Sequence, residues 1–409
     1  MYLQVSARIF KAVLSAAKQH TICAFICVVF ATAAAPVAAQ QQSAADRREL
    51  AANEDPLLEK IEQKNSGALH SSVDAYGVLY LRYRRGNNEL SAVEDNGSRA
   101  GVDAYYEYQK QHWLFARYEL GFNVFDELNV ARYEQAEQAR FLNGDSLFTR
   151  LAYVGIQTEA LTFAFGKNWS SYYQVASFTD RFDSLGGEAH GVYNAGSDGG
   201  SAGTGRADNA LQSRLSWQRI AGLKSLNVNV QLQNNRPVSG LESERYGLGS
   251  GLSLIAELAN RLSLGLAYNK AALQPGGEAR AAGITGDTEV LLVGAQWYNS
   301  HWFVGATYSH SDNLNTDETG RYFNGRGSEL YMQYQCLPNT WLLAGFNKIR
   351  PDSKADVASY QLDYSVLGLR YSFSDFDRMI YVESRLDDSF SSDGQQIGNQ
   401  YIIGLRWRL

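Results

Sequence analysis

The chain has 409 residues, with 37 Gly and 25 Tyr against only 6 Pro and 3 Met, and a formal charge of −6. A negative chain without a basic tract argues against a nucleic-acid partner. The absence of any Cys/His pattern of the zinc kind leaves no metal or other cofactor to expect. Mean hydropathy is −0.31, and downstream of Gln40 no apolar run reaches the ~18 residues needed for a spanning helix. A barrel that alternates lipid-facing and water-facing residues would give the same mean.

The first element reads as an address. Arg8, Lys11 and Lys18 form a basic lead without an acid, the apolar run Ile22–Ala35 follows, and Pro36-Val37-Ala38-Ala39-Gln40 supplies small residues. That order predicts a secretory signal over residues 1–39, cleaved after Ala39. An N-terminal anchor is the rival reading, for which the apolar run is short. Cleavage removes three cations and moves the charge from −6 to −9. It also removes Cys23 and Cys27, leaving Cys336 alone and no internal disulfide to form. Residues 40–72 do not follow the pattern of the rest. Asp55-Pro56 resembles a cap with proline at the first helical position, and Leu50, Leu57, Leu58 and Ile61 could line a short helix. A small coiled coil between subunits would place Glu54 in its seam; a periplasmic lead is the simpler expectation.

From residue 73 onward period two dominates. In Leu226-Asn227-Val228-Asn229-Val230-Gln231-Leu232-Gln233-Asn234 every second residue is aliphatic and those between are amides. A strand puts the aliphatics on one face, whereas a helix scatters them. The same holds in Leu262–Asn269. At the end of the chain Tyr401, Ile403, Leu405, Trp407 and Leu409 oppose Arg406 and Arg408. Sixteen such segments are read: 73–85, 98–111, 112–125, 146–158, 160–168, 209–219, 224–234, 247–258, 260–270, 286–298, 300–309, 328–337, 340–349, 359–373, 377–385 and 399–409. Each is close to the length that crosses a bilayer when tilted. Short turns are expected at Glu159-Ala160, Ala259-Asn260, Asn299-Ser300 and Pro338-Asn339. Long loops are expected over 126–145, 235–246, 271–285 and 310–327. Pro237, Pro275, Pro338 and Pro351 all fall in turns or loops, where a missing donor does not break a ladder.

A soluble sandwich also alternates. The export signal, aromatic residues near strand ends (Trp297-Tyr298, His301-Trp302-Phe303, Tyr371 and Phe373) and a last strand without a tail favour a membrane barrel instead. The expected fold is therefore an all-β transmembrane antiparallel barrel of about sixteen strands over residues 73–409.

The segment 146–188 carries a family likeness. Thr149–Gly155 reads TRLAYVG, Gly166–Trp169 reads GKNW, Phe178-Thr179-Asp180 forms an aromatic-Thr-Asp turn, and Gly186-Gly187-Glu188 forms a Gly-Gly-acid step. Together with Gly203–Asn209, Val73–Gly77 and Asn96–Arg99, these resemble the general, trimeric porins of Gram-negative outer membranes. The resemblance implies a third loop folded into the lumen, with basic residues on the wall facing acids on the loop. Carried over motif by motif, the wall residues are Arg99, Arg150 and Arg206 and the loop acids Asp180 and Glu188. Asp183 lies near a family glutamate across a one-residue gap. Arg82 and Lys167 face the lumen by strand phase and join the basic side. Parity agrees for Arg99, Asp103 and Glu107, which share one face. A charge facing lipid would cost about 2–4 kcal/mol near the midplane.

Such an arrangement implies passive diffusion of small hydrophilic solutes and ions with weak selectivity, no catalysis, and no covalent step. It further implies a homotrimer, contact with outer-membrane lipid and lipopolysaccharide, and recognition by the barrel-assembly machinery through the C-terminal strand. Leu409 departs from the aromatic residue that normally ends the family. Arg181 and the glycine-rich run 196–205 depart from its loop. A substrate-selective channel is the second reading, prompted by Trp169, Tyr172 and Tyr173; a barrel enzyme or surface receptor is the third. His190 near Ser184 and Asp183 is the one conceivable nucleophile arrangement, with loop packing as its plainer explanation. Gly199–Gly203 lacks the Lys-Ser/Thr of a phosphate loop, and Cys336 shares the apolar phase of Met332 and Tyr334.

Overall fold

Alternation of inward polar and outward apolar residues lets each strand satisfy water on one face and lipid on the other, provided that the sheet closes and no edge is left. The computed structural model, which describes residues 71–86, 91–125, 147–353, 357–373 and 378–409, has this form. Its strands begin with β1 (Ser71–Gly86), the short β2 (Ala92–Asp95), β3 (Arg99–Gln109), β4 (His112–Phe122), β5 (Leu147–Gln157) and β6 (Leu161–Trp169). They continue with β7 (Arg206–Gln218), β8 (Ser225–Gln233), β9 (Arg236–Val238), β10 (Leu241–Tyr246), β11 (Gly249–Glu257), β12 (Leu262–Ala271) and β13 (Thr288–Tyr298). The last are β14 (Trp302–Thr316), β15 (Tyr322–Leu337), β16 (Thr340–Pro351), β17 (Leu362–Ser372), β18 (Arg378–Asp387) and β19 (Gln400–Arg408).

β2 and β3 share one stave, interrupted at Asn96-Gly97-Ser98, and both pair with β1. β9 and β10 form a separate hairpin. The remaining order is that of the chain, each neighbour antiparallel, which makes sixteen staves. Closure comes from β1, whose first half pairs with β3 and whose second half pairs with β19, Val78 lying opposite Arg408. The Leu409 N–H donates to the Gly77 carbonyl at 2.8 Å beyond the last paired residue.

The period-two reading places the faces correctly. On β8, Asn229, Gln231 and Gln233 are buried inside while Val230 and Leu232 face outward. On β3, Asp103 and Glu107 are buried and Val102 and Tyr106 exposed. Leu264, Leu266, Leu291, Val293, Leu342, Leu367, Leu369, Val382 and Ile403 continue the outward belt. Outward aromatics gather near the turn ends of their strands, with Trp302 4.4 Å from Tyr334 and Phe373 6.0 Å from Trp407 between ring centres. This is the placement an interfacial girdle requires.

All sixteen expected segments find a stave. Three loops hold more structure than the alternation revealed. The expected loop 310–327 is largely an extension of the β14–β15 hairpin, because its outward positions His310, Asp312 and Arg326 are as polar as its inward ones and give no hydrophobic beat. Loop 235–246 holds the β9–β10 hairpin, and loop 271–285 a single helical turn at Gly277–Ala281. β7 begins at Arg206 rather than 209. The expected signal at 1–39, nearly all of the lead 40–72 and the loop 126–145 lie outside the described residues.

Candidate functional site

Between β6 and β7 the chain makes its longest described excursion, residues 170–205. It starts with one helical turn, α1 (Tyr173–Ala176). The Ser170 hydroxyl accepts the Tyr173 N–H at 2.9 Å, satisfying an otherwise orphaned donor. Tyr172, Val175, Ala176 and Phe178 are buried against Ala267, Val290 and Leu292 of β12 and β13. The segment then runs past the lumen-facing side chains of β14 to β18.

Two features let it lie flat. The first is a row of glycines on the inner face of the wall. A Cβ on Gly265 or Gly294 would meet Val175 at 2.7 or 2.9 Å, one on Gly305 would lie 1.9 Å from the Phe178 carbonyl, and one on Gly327 1.5 Å from the Ala189 carbonyl. Any larger residue would push the segment off. The second is that wall side chains satisfy its backbone, as buried peptide groups demand. Glu383 accepts the N–H groups of Asp183, Ser184 and Leu185 at 2.7, 2.9 and 3.0 Å. Glu329 accepts the Ala189 N–H at 2.6 Å and the Thr179 hydroxyl at 2.7 Å, and Asn347 accepts the Glu188 N–H at 3.2 Å. On the return limb the roles reverse: Gln231, Gln233 and Asn269 donate to the carbonyls of Gly203, Gly200 and Ala202 at 3.1, 3.1 and 2.7 Å.

The five expected basic residues all sit on the wall of β1 and β3–β7, each with an acid beside it. Arg82 reaches Glu94 at 2.9 Å and Asn96 at 3.3 Å. Arg84 takes the other oxygen of Glu94 at 2.9 Å. Arg150 contacts Glu119 at 2.8 Å, with Arg99 3.6 Å from the same carboxylate. Lys167 lies 2.8 Å from Asp198 and also contacts Asp208. Arg206 is 4.0 Å from Asp198, and its guanidinium lies 4.7 Å over the Trp169 ring. Arg150 owes its direction to a register shift between β4 and β5: Glu119 faces Leu151 and Leu120 faces Thr149, so Arg150 is the extra residue. Strict alternation from Tyr153 would aim it at lipid; the bulge turns it inward.

The three expected acids lie on the excursion; Asp183 and Glu188 reach a different part of the wall, and Asp180 meets tyrosines of the excursion itself. Asp180 accepts hydroxyls from Tyr173 and Tyr193 at 2.8 and 2.7 Å. Asp183 binds Arg370 of β17 at 2.8 Å. Glu188 binds Arg385 of β18 at 3.2 Å and the Tyr364 hydroxyl at 2.9 Å. The structure thus brings Arg82, Arg99 and Arg150 together with wall acids, Lys167 and Arg206 together with Asp198 of the excursion, and Asp183 and Glu188 together with other wall arginines. Glu94, Glu119, Asp198, Arg370 and Arg385 were missed in the sequence. The phase of Glu119, Arg370 and Arg385 was legible, whereas Glu94 and Asp198 lie outside the expected strands and which strands would face the loop left no local signal.

The nucleophile arrangement is not assembled. The Ser184 hydroxyl bonds Tyr381 at 2.7 Å, Asp183 holds Arg370, and His190 faces Glu329 at 3.3 Å. Burial pushes the His190 imidazole down to about 3, so it packs as a neutral ring.

The comparisons with known proteins agree with this geometry. A family model described as Gram-negative porin matches residues 27–375. No curated protein matches the sequence. Among solved structures, OmpF of Salmonella typhi in complex with daunomycin superposes with a TM-score of 0.65 at 20% identity, covering 82% of this chain and 97% of that one. The anion-selective porin of Comamonas acidovorans gives 0.61 at 12% identity, with coverages of 83% and 100%. OmpT from the outer membrane of Vibrio cholerae gives 0.59 at 16%, with coverages of 84% and 99%. These likenesses speak to the fold, and the family match speaks to kinship. A closed sixteen-stave barrel with a polar lumen and a lipid-facing belt, matched over most of its length by that family, belongs to the Gram-negative porins: the chain is an outer-membrane porin, a channel protein.

Proposed function

We propose that the channel passes small hydrophilic solutes and ions by passive diffusion, with weak ion selectivity and no catalytic step, and that segment 170–205 narrows its lumen. The observation that carries this is the local pairing of nearly equal numbers of fixed charges across one wall and the segment. Paired charges leave a transverse field that orders water and dipoles yet gives little net preference for either sign of ion. Arg99, Arg150, Arg206, Arg82 and Lys167 form its basic side. Asp180, Asp183 and Glu188 are its acids on the segment, Asp183 and Glu188 paired directly with Arg370 and Arg385.

The same reading includes a homotrimer, export by residues 1–39 and a periplasmic lead over 40–72, with β19 as the strand presented to the assembly machinery. On the outer face His310, Arg326 and Arg350 stand directly opposite one another across β14, β15 and β16. Like charges in cross-strand register repel, and Asp352 and Asp363 offset them in part. The phosphates of lipopolysaccharide are the expected remaining counter-charge.

The test is single-channel recording of the mature protein in a planar bilayer with unequal salt on the two sides. Current steps in groups of three with a small reversal potential are expected. Correctly folded protein that leaves the membrane silent would overturn the diffusion reading.

A further inference from the structure

Arg82 and Arg84 of β1, Arg150 of β5, Arg370 of β17 and Arg385 of β18 each have a carboxylate at the guanidinium, and Arg117 of β4 follows suit with Asp103 at 2.6 Å. Arg214, on the inward phase of β7, breaks this pattern. Its Nε donates to Asn229 at 2.8 Å and its Nη2 to Gln174, at the root of the excursion, also at 2.8 Å. Neither partner is charged, and among the described residues its Nη1 has no hydrogen-bond partner and no carboxylate reaches it. Two amides therefore fix the plane of a guanidinium whose Nη1 remains to donate to a carboxylate, a charge-assisted bond.

Arg214 also lines a recess. A cavity of about 50 Å³ lies between the wall and the underside of residues 169–174, bounded by Phe115, Trp169, Gln174, Gln212 and Asn229 beside Arg214. One water takes about 30 Å³, so the recess accommodates a headgroup of a few heavy atoms while the rest of a solute stays in the lumen. Trp169 stacks on Tyr173 with ring centres 3.9 Å apart. Gln212 is held by the Trp169 carbonyl and Gln231, both at 2.9 Å. The lining is thus set before any ligand arrives, which lowers the ordering cost of binding. An amide-lined cation with a small, partly apolar recess selects a compact carboxylate over a neutral amide or a bare cation.

We propose that Arg214, oriented by Gln174 and Asn229, forms a lumenal binding subsite for small monocarboxylates, in which the carboxylate enters the recess and the body of the solute stays in the lumen. The proposal deepens the channel reading, on which it rests for access of solute to the lumen.

The experiment uses the mature, folded full-length protein with benzoate as probe and benzamide, its neutral counterpart, as control. In planar bilayers, benzoate should reduce ion current saturably at millimolar concentration and benzamide should not. Arg214→Gln should raise the half-blocking concentration at least tenfold. The same contrast is read by calorimetric titration of the protein in detergent, which needs no conductance. Equal responses to benzoate and benzamide, a block that never saturates, or an unchanged response in Arg214→Gln would each overturn the subsite. The benzoate–benzamide contrast needs no variant, so a poorly folding Arg214→Gln leaves the test intact. A channel silent in plain salt whose titration nonetheless shows benzoate-specific saturation would overturn the diffusion reading and support the subsite.

Discussion

The two limbs of segment 170–205 are held by opposite chemistry. The outgoing limb, residues 179–189, gives N–H groups to wall carboxylates, Glu329 and Glu383. The return limb, residues 200–203, gives carbonyls to wall amides, Gln231, Gln233 and Asn269. The outgoing limb also carries Asp183 and Glu188, which meet Arg370 and Arg385 of the wall. Residues 200–203 carry no charged side chain. The two limbs therefore differ in the charges they carry as well as in how their backbone is seated.

The largest effect should come from breaking the outgoing seat. Gly327→Val places side-chain atoms where the Ala189 carbonyl lies, and overpacking of this kind costs about 1–3 kcal/mol. Displacement of the segment should change the conductance step several-fold. An unchanged step would mean that the outgoing limb does not set the width of the channel. Next come the charges. Arg150→Ala and Arg206→Ala should each shift selectivity toward cations, and Glu119→Gln toward anions, by a factor of roughly 2–5 in the permeability ratio. Reversal potentials unmoved in both arginine variants would remove these residues from the constriction.

A smaller effect is expected at the tethers. Glu383→Ala leaves three N–H groups without their acceptor, at about 1–3 kcal/mol for a buried group left unsatisfied. The thermal midpoint should fall and open-channel noise should rise. A quiet channel of unchanged stability would show that water replaces the carboxylate. The smallest effect belongs to the amide side. Asn227→Ala removes the partner of the Ser216 hydroxyl, 2.7 Å away, and should leave the permeability ratio as it was; a shift comparable to that of Glu119→Gln would erase the distinction between the halves.

The staves were legible because lipid imposes one rule on every strand: alternate, or lose several kcal/mol per misplaced charge. That rule also placed Arg82, Lys167 and Arg99 on the inner face. It says nothing about which inner residues will meet. Glu383 touches Asp183 and Ser184 across the lumen, a contact fixed by barrel closure and by the path of the segment, neither of which leaves a local trace. Arg150 shows the limit from the other side. Family likeness marked it, while simple parity would have aimed it at lipid, because a bulge is one residue of slippage that a repeating pattern cannot announce. The β14–β15 extension was missed for a related reason: above the lipid there is no apolar face to beat time.

The seam between β1 and β19 has a kinetic meaning. Almost every other pair of staves joins neighbours in sequence and can zip as a hairpin, but the pairing of Val78 with Arg408 brings together nearly the whole length of the chain. Loop-closure entropy of that size is repaid only when the final strand arrives. Until then β1 and β19 are open edges, each a template for pairing with the wrong chain. The Gly77–Leu409 hydrogen bond thus marks the end of assembly, and the period before it forms is when the nascent barrel is most exposed to aggregation.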